Sequence, residues 1–240
     1  MTQQKHNPGR RSSNAAAPGF SMVELLVSMC ILAVLAGFIA TGFQGSTKKA
    51  RGIQCVAKMR NLGQGIQLYT QDNAEFPRSL HSAASAGKLP WAKAILPYLG
   101  FSDTPSDLEW ANIFEKIYRC PSDPKKDVNI CSYALNVHLE LTPDGDDYTG
   151  SPATWRKPIN LDQGTRTILL AEPKPVYYAD HIMCHQWSSA TGASNAVDAK
   201  RHEGKANYLF ADGHVEALLI TSTFDPAKGI NLWNPGLAGR

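Results

Sequence analysis

The chain begins with small polar and basic residues and then becomes almost entirely apolar. The 19 residues from 25 to 43 carry no charged side chain. As an α-helix that rises about 1.5 Å per residue, this segment would be roughly 28 Å long, close to the hydrocarbon thickness of a bilayer. The pattern therefore predicts a transmembrane helix over residues 20–43.

The helical pattern continues beyond this segment in a different form. Apolar residues recur at every third or fourth position and form one stripe: Val56, Met59, Leu62, Ile66 and Tyr69. Such spacing is typical of a helix with one buried face. The helix signal ends near Asp72, and Pro77 follows. We predict one long helix over about residues 21–72, whose second half packs on a globular domain.

The rest of the chain favours an α+β domain. Residues 78–118 indicate short helices and loops, residues 143–160 a Gly-, Pro- and Asp-rich loop, and residues 165–173 a buried strand. Residues 206–220 predict a hairpin with Asp212 and Gly213 as a two-residue turn. Pairing across that turn would place Phe210 opposite Val215 and Tyr208 opposite Ala217, on the face that packs against the helix stripe.

The charge distribution argues against a nucleic-acid-binding protein. The net charge of +3 comes entirely from Lys5, Arg10 and Arg11, since residues 1–19 hold no acid. The remaining residues carry 21 basic and 21 acidic side chains. A neutral body lacks the basic surface that phosphate backbones require.

Three ordinary explanations for the N-terminal segment leave one feature unexplained. A cleaved secretory signal would have a shorter apolar core, of about 7–15 residues. The pair Arg10-Arg11 also occurs in twin-arginine signals, but no further part of that motif follows. A plain membrane anchor fits better, although balanced basic flanks give its orientation only weakly. None of the three explains Gly19-Phe20 followed by Glu24.

Residues 19–27, GFSMVELLV, after a short basic leader, resemble the type IV prepilin and pseudopilin family. The resemblance implies that a prepilin peptidase cuts between Gly19 and Phe20 and methylates the new amino group of Phe20. Glu24 would then neutralise the N-terminus of a neighbouring subunit during assembly. A carboxylate at the edge of hydrocarbon needs such a partner, or else must reach the headgroups.

This resemblance implies a fold and a domain order. The fold would be a pilin-like lollipop, with a long N-terminal transmembrane helix packed on a small antiparallel β-sheet domain. The domains would be a leader (1–19), a transmembrane helix (20–43), a periplasmic half-helix (44–75) and a globular domain (76–240) with a hairpin at 202–220. The protein would be a single-pass inner-membrane protein with its C-terminal domain in the periplasm or on a surface filament.

The same resemblance implies a structural function. The chain would be a subunit of a type II secretion or type IV pilus-like filament, without enzymatic activity. Its partners would be the prepilin peptidase, other pilin or pseudopilin subunits, an inner-membrane assembly platform and membrane lipid. Two alternatives stay open: a displayed binding module, marked by exposed tryptophans at 155, 187 or 233, and a tethered enzyme around His202, Asp212 and His214.

Three later stretches resemble a bacterial group of pseudopilin-like proteins with a C-terminal H-X9-DG motif. They are residues 55–77 after the anchor, RCPSDP at 119–124 with SYALN at 132–136, and HEGKANYLFADG at 202–213. Nine residues separate His202 from Asp212. We expect Asp212 and Gly213 to form the turn and His202 to hydrogen-bond into that hairpin as a structural residue.

The cysteines and acidic residues raise further candidate sites. Four cysteines allow three pairings, and we expect Cys120 with Cys131 and, as the remaining pair, Cys55 with Cys184. Soft ligands for zinc are present but lack a recognised spacing: Cys120, Cys131, His181, Cys184, His185, His202 and His214. Asp144, Asp146 and Asp147 are weak calcium candidates without the bidentate glutamate of an EF-hand. We therefore expect no metal and no other cofactor.

Overall fold

The computed structural model describes residues 19–125, 127, 129–142, 145–146, 155–176 and 179–239, and the side chains of 38–44, 142 and 145–146 lie outside the description. The chain divides into two compact units, residues 1–45 and 46–240. The predicted leader at 1–19 lies outside the described residues, apart from Gly19.

Helix α1 (Met22–Asn73) begins in the first unit and ends in the second. Its first residue follows Ser21, whose hydroxyl accepts a hydrogen bond from Val23 N at 3.3 Å. Ser21 N in turn donates to Glu24 Oε2 at 2.9 Å. These reciprocal bonds satisfy two of the amide groups that a helix N-terminus leaves without partners.

The predicted fold is wrong in two respects. No helix in the described part of the chain is long and apolar enough to cross a membrane, which contradicts the lollipop with a transmembrane stalk. The predicted antiparallel sheet is instead mixed, because strands β1 (Ala134–Asn136) and β5 (His181–Ile182) run parallel. What holds is the α+β class, with a five-stranded sheet.

The second unit is built on this sheet, whose strand order is β5-β1-β4-β6-β7. Its other strands are β4 (Ile168–Ala171), β6 (Ala206–Phe210) and β7 (Val215–Leu218), and the pairs β1–β4, β4–β6 and β6–β7 are antiparallel. All residues of β1, β4, β5 and β6 are buried, so these strands are covered on both faces, and their few polar residues, Asn136, His181 and Asn207, are buried as well. Two further strand pairs lie outside the five-stranded sheet. They are β2 (Leu141–Thr142) with β3 (Gly145–Asp146), and β8 (Phe224–Asp225) with β9 (Ile230–Asn231).

The remaining helices are short and follow the predicted segmentation of residues 78–118. They are α2 (Leu80–Ser85), α3 (Trp91–Ala94), α4 (Asp107–Ile113), a π-helical turn (Phe114–Tyr118) and, later, α5 (Ala190–Ala196). Ser106 and Glu109 form a capping box that starts α4. Single 3₁₀ turns connect several of the other elements.

The stripe on the second half of α1 is buried from Met59 to Tyr69, whereas Val56 is only partly buried and lines a cleft. The hairpin face that meets the stripe differs from the predicted one. Met59, Leu62 and Ile66 are fully buried in one cluster with Leu209. A Cβ on Gly63 would lie 2.8 Å from Leu209 Cδ1, so helix and strand approach closely at this glycine. Tyr208 belongs to a second cluster.

The reason is a register that differs by one residue. Leu209 pairs with Val215, and Tyr208 pairs with Glu216, because the turn has three residues rather than two. Phe210 N bonds to His214 O at 2.9 Å, and Gly213 adopts a φ of +96°. This is the three-residue turn with a left-handed glycine, and a shift of one residue exchanges the two faces of a strand.

The stripe predicts a stability difference between two leucines of the same helix. Leu62→Ala should lower the free energy of unfolding by about 2–5 kcal/mol, because Leu62 is fully buried and its loss leaves a cavity. Leu68→Ala should cost about 0.5 kcal/mol, because Leu68 is 46% exposed. Urea unfolding followed by circular dichroism measures both, and equal costs would contradict the packing described here.

Candidate functional site

The structure brings together four side chains from separate segments, here called the disulfide cluster: Cys55, Cys120, Glu172 and His202. Their sulfur, oxygen and nitrogen ligand atoms all lie within 4.8 Å of one another. Cys55 comes from α1, Cys120 follows the π-helical turn, Glu172 follows β4, and His202 precedes β6. Both cysteines and Glu172 are fully buried.

Cys55 and Cys120 form a disulfide, with Cα atoms 5.3 Å apart. This separation is ordinary for a disulfide. The expected pairs Cys120–Cys131 and Cys55–Cys184 are therefore wrong. Cys131 and Cys184 are buried thiols, and Cys30 is an exposed one. Spacing misled here because the helix stripe, rather than the short loop around Cys120, brings the second sulfur into place.

The prediction that His202 hydrogen-bonds into the hairpin turn is wrong for its side chain. Its Nε2 lies 2.9 Å from Glu172 Oε1 and 3.7 Å from Cys120 Sγ. Its backbone instead pairs with Lys205, at 2.9 and 3.0 Å, in the tight turn that leads into β6. His202 thus connects the start of β6 with the end of β4 and with the disulfide.

Hydrogen bonds fix Glu172 and Cys120 from outside the cluster. Asn207 N donates to Glu172 Oε2 at 2.8 Å, which leaves Oε1 for His202. Ser122 N donates to Cys120 Sγ at 3.4 Å. Arg201 Nη1 lies 3.9 Å from Glu172 Oε1 and adds a positive charge beside the buried carboxylate.

Arg201 belongs to a buried ionic network next to the cluster. Its guanidinium contacts Asp198 at 3.0 Å and Asp123 at 3.5 Å, and it donates to Ser132 O at 3.0 Å. Lys125 Nζ lies 3.7 Å from Asp123, and burial lowers the pKa of Lys125 although Asp123 opposes the shift. Buried charges of this kind persist only when they are paired.

Asp212 and Gly213 form the turn at the other end of β6, as predicted. Asp212 Oδ1 accepts from His214 N at 3.1 Å and lies 2.6 Å from His214 Nδ1. The turn also touches α1, because Gln67 Nε2 donates to Ala211 O at 2.6 Å. His202 and Asp212 therefore do not meet, and each has its own partner.

Two further candidate zinc ligands, His181 and Cys184, have local partners. His181 Nδ1 lies 3.0 Å from Asp180 Oδ1, and the His181 ring packs edge-on against His81. Cys184 Sγ donates to Asn136 Oδ1 at 2.9 Å. Among the described residues, the disulfide cluster is the one group of candidate ligands whose atoms lie close enough to surround a metal ion, and its two sulfurs are joined in the disulfide.

The calcium candidates are outside the structural description. Asp144 and Asp147 are not described, and of Asp146 only the backbone, in β3, is described. These three aspartates therefore stay untested as calcium candidates.

A cleft of about 680 Å³ opens beside the disulfide cluster. His202 lines it together with Gly52, Asn207 and four basic residues: Lys48, Lys49, Arg60 and Lys205. Asp212 lines a different cleft with Gly63 and Gln67. The residues of the tethered-enzyme hypothesis are thus divided between two clefts.

The tryptophans of the binding-module hypothesis are packed rather than gathered on a surface. Trp233 is fully buried, and Trp187 contacts it edge-on with ring centroids 4.9 Å apart. Trp155 is partly buried against the apolar cluster that contains Leu62 and Leu209.

The processing residues lie at the start of the description. Phe20 is 79% exposed, and Glu24 is held by the Ser21 amide in the capping arrangement given above. This partner of Glu24 could have been found in the sequence, because Ser-x-x-Glu before an apolar run is a helix-start signature. Glu172 had no comparable sequence signal, because the residues around it indicate only the end of a strand.

Comparisons of the chain with protein-family models, curated proteins and solved structures find no match.

The cysteine assignment predicts a distinct peptide map. Without reduction, trypsin should release residues 52–58 joined to residues 120–125 through the Cys55–Cys120 disulfide. An alkylating agent near pH 8 should label exposed Cys30 but spare Cys131 and Cys184 in the folded protein, because burial raises the pKa of each to about 12. A peptide joining Cys120 to Cys131 would refute the assignment.

Reduction should also destabilise the protein. The disulfide closes a chain segment with a sequence separation of 65, which corresponds to about 4 kcal/mol of chain entropy in the unfolded state. Urea unfolding in metal-free buffer that contains a chelator, with and without a phosphine reductant, measures this loss. Alkylated Cys30 serves as the control for nonspecific thiol effects.

Proposed function

We propose that this chain is a structural, pseudopilin-like subunit that a prepilin peptidase cuts between Gly19 and Phe20, and that copies of it assemble through the first part of α1. The observation that carries the proposal is the exposed apolar surface directly after the cut position. The large apolar side chains of this segment are all 51–85% exposed: Phe20, Met22, Val23, Leu25, Leu26, Val27, Met29, Ile31, Leu32, Val34 and Leu35.

These residues occupy every face of the helix rather than one stripe. A helix that is apolar all round is stable only when other apolar surface covers it. Small residues such as Ala33, Ala36 and Gly37 interrupt the large ones and would allow a second helix to approach closely. The same segment of another copy supplies matching apolar surface, so we assign assembly to contacts between copies.

Glu24 supports the same proposal through its charge. It is the only charged residue between positions 20 and 47, and its carboxylate already lies against the Ser21 amide. Cleavage before Phe20 would create an ammonium group one residue from that amide. The carboxylate would then stand at a position where it can neutralise its own or a neighbouring amino terminus, and the positive end of the helix dipole favours it there.

The machine that this subunit would serve is a type II secretion or type IV pilus-like filament, with an inner-membrane assembly platform as the further partner. Membrane lipid as a partner and the inner-membrane location stay predictions, as does the absence of enzymatic activity. A displayed binding module is the alternative, but the packed tryptophans do not favour it.

Glu24 variants separate assembly from helix capping. Glu24→Gln keeps an oxygen that accepts the Ser21 hydrogen bond but removes the charge, whereas Ser21→Ala removes the Val23 hydrogen bond and keeps the charge. Expressed with a prepilin peptidase, both variants should yield mature chains that start at Phe20. Glu24→Gln should lower the yield of cross-linked oligomers at least tenfold, and Ser21→Ala should reduce it much less.

Intact-mass spectrometry with N-terminal peptide mapping checks the cut and the added methyl group. A chain that still begins at Met1 would overturn the processing proposal. Oligomer yields for Glu24→Gln equal to those of the unaltered chain would show that Glu24 serves only to start the helix.

A further inference from the structure

We propose that the disulfide cluster becomes a Zn²⁺ site once its disulfide is reduced, with four ligands: the Cys55 and Cys120 thiolates, His202 Nε2 and a Glu172 carboxylate oxygen. This inference concerns the second unit and goes beyond the proposed assembly function.

The first support is the placement of the ligand atoms. Zinc binds thiolates at about 2.3 Å and imidazole or carboxylate at about 2.0–2.2 Å, so neighbouring ligand atoms in a tetrahedral site lie roughly 3.3–3.8 Å apart. His202 Nε2 is already 3.7 Å from Cys120 Sγ and 2.9 Å from Glu172 Oε1. All four ligand atoms fall within 4.8 Å of one another, so small side-chain movements would complete the coordination.

The second support is the chemistry of the set. Two thiolates, an imidazole and a carboxylate are ligands that zinc accepts, and they exclude the hard, all-oxygen coordination of calcium or magnesium. The ligands come from four separate segments, so a bound ion would connect those segments. Two thiolates and one carboxylate would leave one excess negative charge on the complex, and the Arg201 guanidinium, which also contacts Asp198 and Asp123, lies 3.9 Å from Glu172 and reduces the cost of that charge.

The third support is the set of hydrogen bonds that orient the ligands. Asn207 N holds the second oxygen of Glu172, so Oε1 remains directed into the cluster. Ser122 N donates to Cys120 Sγ, and a thiolate accepts such a bond better than a disulfide sulfur. Outer hydrogen bonds of this kind typically contribute a factor of 10–100 to metal affinity.

A metal also has a route into the cluster. The His202 side chain is 10% exposed and borders the cleft of about 680 Å³ described above. Gly52 lies beside the opposite edge of the ring, where an added Cβ would be at an ordinary contact distance of 3.6 Å from His202 Nδ1.

The redox step balances with a dithiol reductant. The reductant transfers two electrons and two protons to the Cys55–Cys120 bond and leaves as its own disulfide, which gives two protein thiols. Zn²⁺ then displaces both thiol protons to solvent. In the disulfide state His202 Nε2 donates its proton to Glu172 Oε1. When the metal binds, Nε2 loses that proton to solvent and Nδ1 takes one up, so the neutral ring binds the ion through Nε2 and Glu172 Oε1 binds it alongside. A small-molecule disulfide that accepts two electrons from the thiolates would reverse the steps, leave as its own dithiol and release the ion.

The test is zinc titration of the full-length chain, purified in mild detergent, in the presence of a chromophoric chelator. After reduction with a phosphine, we expect one tightly bound Zn²⁺ per chain, and Co²⁺ in its place should give the intense visible absorption of tetrahedral thiolate coordination. The oxidised chain should bind at least 100-fold more weakly. His202→Ala and Glu172→Gln should each weaken binding to the reduced chain at least tenfold.

Matched controls use residues outside the cluster. His214→Ala removes a partly exposed histidine, and Cys131→Ala removes a buried thiol, and both should bind zinc as the unaltered chain does. Circular dichroism before titration identifies variants that do not fold. If reduction alone unfolds the chain, recovery of the thermal transition on addition of zinc supports the site.

Three results would overturn the proposal. They are equal zinc binding by the reduced and oxidised chains, unchanged binding in His202→Ala, and unfolding on reduction that zinc does not reverse.

Discussion

The close approach of helix α1 to strand β6 at Gly63 determines much of the second unit. Because position 63 has no side chain, Leu209 can pack directly on the helix, where a Cβ would lie 2.8 Å from its methyl carbon. This contact fixes which face of α1 is buried. Cys55 lies eight residues earlier on the same stripe, so the packing that buries Leu62 also turns Cys55 toward Cys120 and His202.

The nine-residue interval between His202 and Asp212 follows from the packing of β6 on α1. The interval contains the whole of β6, and both of its ends meet α1. At one end the His202 ring lies next to Gly52, and at the other Gln67 donates to Ala211 O beside the turn. The motif therefore describes a strand secured at both ends against one helix, and His202 additionally reaches the disulfide.

The sequence predicted local features well and long-range ones poorly. The observed bounds of α1 agree with the predicted ones to within a residue at each end, and β4 lies inside the predicted strand. Both predictions depend on caps and apolar runs, which are local signals. The hairpin register was wrong by one residue, since Asp212 and Gly213 fit either a two- or a three-residue turn. The disulfide was wrong because pairing depends on which residues the fold brings together, and Glu172 gave no signal for the same reason.

The predicted transmembrane stalk shows a further limit of inference from the sequence. A stretch of 19 uncharged residues predicted a transmembrane stalk, and no described helix meets that requirement. What remains is an apolar segment with Glu24 at its start, and the proposed assembly depends on these two features, whatever surrounds them.

The disulfide cluster cross-links α1 to the segment that follows the π-helical turn, next to the ends of strands β4 and β6. As a disulfide it joins Cys55 directly to Cys120, and the Glu172 and His202 side chains form a hydrogen bond with each other. With zinc bound, as we propose, the same four groups would connect the same four segments through the ion. Reduction would then exchange one cross-link for another instead of releasing the helix, because the buried carboxylate and imidazole are already placed to replace the lost covalent bond.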